Sequence, residues 1–163
     1  MKTASLKEIK TELVALPKEE LLALCLHLVK YKKENKELIH YLIFEAQHES
    51  EYIQDIKNQM DELFQQINTT SYYLIKKSVR KILRLTKKHI AYSKKKETEV
   101  ELLIYFCVQL SQLYPSFKNN SALISLYERL IKNIQKSMET LHEDLQYDFS
   151  KDLKGLKNEM LTH

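Results

Sequence analysis

The sequence predicts an all-α protein, and three observations carry that prediction. Only one glycine, Gly155, and two prolines, Pro17 and Pro115, occur in 163 residues. Tight hairpins, phosphate-cradling loops and strained catalytic turns draw heavily on glycine, so this chain has few places to leave a helix. The charged fraction of 29% is mostly Lys and Glu, both good helix formers. Leu and Ile recur at steps of three and four, the spacing of one helix face. The length fits one domain. The expected architecture is therefore a single helical domain over 1–163. It would be a compact bundle of six or seven mostly antiparallel helices, with residues 17–30 and 99–113 at its centre.

Ser5-Leu6-Lys7-Glu8 has the form of a capping box, with Leu6, Ile9, Leu13 and Leu16 following on one face. Pro17 ends that helix and opens the next. The second helix, from Leu21 to Val29, is apolar nearly all round, which predicts a central position. Asn35 is placed to cap a new start. From Ile39 to Ile67 the apolar residues form a heptad seam whose one defect is Glu49. A charge on a seam favours an interruption near His48-Glu49-Ser50, and the seam itself offers a surface for self-association.

Asn68-Thr69-Thr70-Ser71 is a cap cluster, followed by a helix to about Tyr92 and a charged link at Ser93-Lys94-Lys95-Lys96. Residues 97–113 predict a second central helix, with seven consecutive apolar residues from Leu102 to Val108. Tyr114 to Asn120 is the clearest loop. One long helix is expected from Ser121 to about Tyr147, and the tail from Ser150 is expected to fray around Gly155.

Cys25 and Cys107 lie in apolar runs and read as reduced core thiols. The polar start Met1-Lys2-Thr3-Ala4-Ser5 does not resemble a signal peptide, and no apolar run is long enough to span a bilayer. A cytoplasmic protein without membrane association is expected.

Leu16-Pro17-Lys18-Glu19-Glu20-Leu21-Leu22, Lys30-Tyr31-Lys32-Lys33-Glu34-Asn35, Tyr41-Leu42-Ile43-Phe44-Glu45, Lys76 to Arg84 and Leu102 to Cys107 make a recognisable string. It resembles a group of uncharacterised small helical proteins of Bacteroidetes-type bacteria, over most of the chain. The resemblance implies a cytoplasmic helical protein. It lends no activity and no functional residues.

Charge is unevenly spread. Ten Lys or Arg and no Asp or Glu lie between Ser71 and Lys96. The remainder holds 16 basic and 22 acidic residues (26 − 10 and 22 − 0), a balance of −6. At about 100° per residue, Lys76, Lys77, Arg80, Lys81, Arg84, Lys87 and Lys88 share an arc of about 140°. Ile75, Val79, Ile82, Leu83, Thr86 and Ile90 occupy the opposite arc and would face a core. Three readings fit such a stripe. It is a solvated face partly neutralised by Glu139, Glu143, Asp144 and Asp148; a phosphate-backbone contact for RNA or DNA without base reading; or a dock for an acidic protein.

Catalytic signals are weak. Glu45/His48 and Glu139/His142 have the Glu-x-x-His spacing of di-metal bundles, with Glu62 and Glu101 as candidate further ligands. Glutamate is so common here that chance accounts for such pairs. His27 and Cys25 are two apart and do not share a helix face, so His27 reads as a core histidine. His89 flanks the basic stripe. The ten tyrosines read as structural. Glycine-rich nucleotide loops, nucleophile elbows and zinc-type Cys/His clusters are absent from the sequence. The expectation is a non-catalytic interaction or regulatory protein with no cofactor and no metal, with a helical-bundle di-metal protein as the weaker alternative. Its partner would be another protein or a second copy, with nucleic acid as the alternative.

Overall fold

The structure, a computed structural model, describes residues 2–161. Those residues contain eight α-helices and no strand, against the six or seven helices predicted. They form two compact units, divided between Phe44 and Glu45.

The first unit holds α1 (Leu6–Ala15), α2 (Lys18–Tyr31) and α3 (Lys33–His40). The predicted capping box starts α1. Ser5 Oγ accepts from the Glu8 amide at 3.3 Å and Glu8 Oε2 accepts from the Ser5 amide at 2.7 Å. The Ser5 hydroxyl, donating to Glu8 Oε2 at 2.7 Å, and after it the Ser5 amide hold the Glu8 carboxyl below its ordinary range. Pro17 is extended and N-caps α2. Asn35 lies inside α3 instead of capping it. Its side-chain amide donates to the Leu28 carbonyl at 2.7 Å and so closes the corner between α2 and α3. These two helices meet over Cys25, Leu28, Val29, Leu38 and Ile39.

The expectation that residues 17–30 are central is not met, since neither α2 nor its two neighbours buries a single residue. The apolar circumference of α2 has too few elements of this unit around it. A helix that is apolar all round is built to be covered, and three short helices cover only one side.

The interruption predicted near His48-Glu49-Ser50 is present, just before Glu49. Tyr41–Glu45 widens into a π turn, residues 46–48 leave the helix, and α4 (Glu49–Gln65) starts anew. Then follow α5 (Tyr72–Ser93), α6 (Lys96–Ser111), α7 (Ser121–Met138) and α8 (Glu143–Leu161). Ser71 caps α5, accepting from the Leu74 amide at 3.4 Å. Lys94, with φ at 59°, turns the chain out of α5 in the left-handed conformation that usually belongs to glycine.

The expectation for residues 99–113 holds. α6 lies against α4, α5, α7 and α8 alike. Val100, Leu102, Phe106, Cys107 and Leu110 are wholly enclosed. Phe64 meets Phe106 edge-on at 5.4 Å, and Phe117, within the predicted loop, stacks on Tyr127 at 4.6 Å. Tyr127 donates to the Leu156 carbonyl at 3.2 Å. Burial pushes the Tyr127 phenol up, and it pushes the Cys107 thiol up to about 12. The part of the 39–67 seam on α4 is used within this unit: Ile53, Ile56 and Met60 are buried, while Leu63 is half-buried and its neighbour Phe64 takes the core position.

The long helix predicted over 121–147 stops at Met138, and the predicted fraying tail is the body of α8. Thr140 Oγ1 donates to the Ser137 carbonyl at 2.7 Å and the Gln146 side chain donates to the Leu141 carbonyl at 2.8 Å. These bonds occupy backbone groups that a continuous helix would have used. The break places Leu153 and Leu156 of α8 in the core. It also accounts for the additional helix. Among the described residues no helix is long and apolar enough to cross a membrane.

Candidate functional site

The basic stripe lies along α5 as its periodicity requires. Ile75, Val79, Ile82 and Thr86 are buried, with Thr86 Oγ1 donating back to the Ile82 carbonyl at 3.0 Å. On the far side Lys77, Arg80, Lys81, Arg84 and Lys87 are exposed, and Lys76 and Lys88 are half-buried. Tyr73, Lys76, Lys77, Arg80, Lys81 and Arg84 edge an open furrow of about 680 Å³ along the helix.

The predicted neutralisation is not found. Among the described residues no carboxylate lies within ion-pair distance of Lys76, Lys77, Arg80, Lys81, Arg84 or Lys87, while Lys88 has a contact of its own. Asp144 sits beside His142 at 3.4 Å, and Asp148 lines a different groove, on α8. Like charges one turn apart cost a few tenths of a kcal/mol per pair, which the burial of the opposite face offsets. Of the three tyrosines near the stripe, Tyr92 is buried and Tyr72 donates to the Ser116 carbonyl at 2.8 Å. Tyr73 stands exposed at the end of the furrow.

The groove on the α6–α8 side has a volume of about 710 Å³. Half of its charged side chains, Lys57, Glu101 and Glu159, are ion-paired. Lys57 reaches Glu101 at 2.6 Å and lies 5.3 Å from the centre of the Tyr105 ring. Tyr105 donates to Asp61 at 2.7 Å, and Lys118 pairs with Glu159 at 3.1 Å. Burial, then the Asp61 carboxylate, raises the Tyr105 phenol. A phenol held protonated by its neighbours is a poor base and a poor nucleophile.

Neither Glu-x-x-His pair lies on a helix face. Glu45 ends the π turn and His48 caps α4, whereas Glu139 caps α7 and His142 lies in the turn after it. Glu101 is engaged by Lys57 and Glu62 is exposed. Among the described residues no three His, Cys, Asp or Glu side chains come together to hold a metal. Cys25 and His27 are exposed, contrary to their expected core positions, because α2 itself is exposed. His89 faces away from the stripe, taking the Tyr52 hydroxyl within 3.1 Å of Nδ1.

A second surface was not legible as a site. Of the sixteen large apolar residues that are exposed among those described, twelve belong to residues 1–44. They include Leu22, Leu24, Leu26 and Leu28 on α2 and Leu42, Ile43 and Phe44 after α3. Tyr41 is the one buried residue described in this segment. The signal lay in the leucine-rich circumference of α2, which reads equally as a core helix.

Comparison with protein families, with curated proteins and with solved structures returns no significant match. Any functional reading therefore rests on the two surfaces themselves.

Proposed function

We infer that the protein is a non-catalytic interaction protein and that residues 1–44 are its binding element. The observation that supports this is the concentration of exposed apolar side chains there. A patch on an ordinary monomer covers some 300–600 Å², and larger ones mark interaction sites. Twelve of the sixteen exposed large apolar residues among those described lie in this segment, Leu22 and Leu26 of α2 among them. A tagged chain captured from its native cells should bring down a protein partner, another copy included, that Leu22→Glu/Leu26→Glu loses. Both leucines are exposed, so the change should leave helix content intact by circular dichroism. Capture unchanged by the substitution removes this reading.

A second reading, contact with a phosphate backbone, draws on the six basic side chains of α5 that lack a carboxylate partner. Binding to mixed-sequence RNA or DNA should fall with salt, with a log–log slope of about −4 to −5 if all six engage phosphates. Arg80→Glu/Arg84→Glu should abolish it. No binding at low salt eliminates the reading.

A further inference from the structure

The surface of α2 contains a row that is its own complement when reversed. At about 100° per residue, Glu19, Leu22, Leu26 and Lys30 fall within an arc of about 80°. The row runs acid, leucine, leucine, base from the N-terminal to the C-terminal end of the helix. Leu22 is 60% exposed and Leu26 is 49% exposed, so neither is covered by α1 or α3. Contact with α3 uses the adjoining face, through Cys25, Leu28 and Val29. Glu19 and Lys30 are exposed, and neither has an ion-pair partner among the described residues. Ala23, beside the row, leaves room for a close approach.

A two-fold contact requires that residue i of one copy meet residue j of the other and the reverse. Antiparallel helices centred between Leu22 and Leu26 satisfy this. Leu22 of each copy meets Leu26 of the other, and Glu19 of each lies beside Lys30 of the other. Both salt bridges form at once, and the two helix dipoles oppose each other favourably. A parallel arrangement would set Glu19 against Glu19 and Lys30 against Lys30.

We propose that two copies of this chain pair through the Glu19–Leu22–Leu26–Lys30 row of α2, antiparallel about a two-fold axis. The proposal rests on the reading of residues 1–44 as a binding element and names its occupant.

The test is light scattering and sedimentation of the full chain over a range of concentrations. The wild type should show twice the chain mass, and Leu22→Glu/Leu26→Glu should be monomeric with unchanged helix content. Glu19→Lys alone, or Lys30→Glu alone, sets like charges together at both ends and should weaken pairing about tenfold. Glu19→Lys/Lys30→Glu should restore it, because the reversed row is again self-complementary. Failure of the double change to restore pairing, or no effect of either single change, overturns the antiparallel row. A monomeric wild type overturns self-pairing altogether. If that monomer still captures a different protein through Leu22 and Leu26, the binding-element reading stands without this proposal. If it captures nothing, both fall.

Discussion

Glu49 stands where the heptad seam calls for an apolar residue, and its surroundings explain how it is tolerated. The carboxylate accepts from the hydroxyls of Ser93 and Thr98, the latter at 2.6 Å, and meets Lys95 Nζ at 3.0 Å. A charge mostly removed from water needs such partners, or its desolvation would cost several kcal/mol. The sequence marked the defect but not its remedy, because the partners lie more than forty residues away. The cysteines show the same limit. Both sit in apolar runs, yet only Cys107 is buried. Its thiol, pushed up to about 12 by burial, stays protonated and enclosed near neutral pH. Thiol labelling of the native protein at pH 8 should therefore modify Cys25 quickly and leave Cys107 until denaturant is added. Two fast equivalents would contradict the enclosure of Cys107.

At the scale of elements, capping chemistry was the most legible part. Ser5, Glu8 and Ser71 act locally, within three residues, so their roles can be read from the sequence. α2 and α6 mark the opposite case. Both are apolar nearly all round, and periodicity cannot say whether such a helix is covered by its own chain or left bare. The division of 121–161 into α7 and α8 was hidden for a related reason. No glycine or proline marks residues 139–142, and the turn is stabilised by Thr140 and Gln146 acting on neighbouring carbonyls. Gly155, taken to weaken the tail, lies in mid-helix instead. A β-carbon added there would meet no atom within 4 Å. Gly155→Ala should therefore stabilise the protein by about 1 kcal/mol. The readout is a higher denaturant midpoint at unchanged slope. A lower midpoint would mean that the groove beside α8 needs the space the added methyl group would fill.

For the whole molecule, the excess of positive charge on residues 71–96 was plain from composition, but the lack of carboxylates facing it depends on where every other helix lies. The division at Phe44 and Glu45 was equally hidden, since no proline, glycine or low-complexity linker marks it. Local charge can be separated from net charge. Arg80→Glu/Arg84→Glu lowers the formal balance from +4 to 0, giving 24 basic and 24 acidic residues. Lys132→Glu/Lys136→Glu on α7 makes the same change to the total without touching α5. If α5 is the contact, only the first pair should abolish polyanion binding. Equal losses from both would assign the effect to overall charge.

The segment that offers the leucines and the ridge that offers the lysines and arginines are different parts of the chain, so pairing through the first uses none of the second's residues. A twofold assembly of this kind would present two cationic ridges to one long anionic polymer. The second engagement then occurs at an effective concentration that can reach the millimolar range when the tether is short. A ridge too weak to hold a short oligonucleotide alone would, in duplicate, retain a long one.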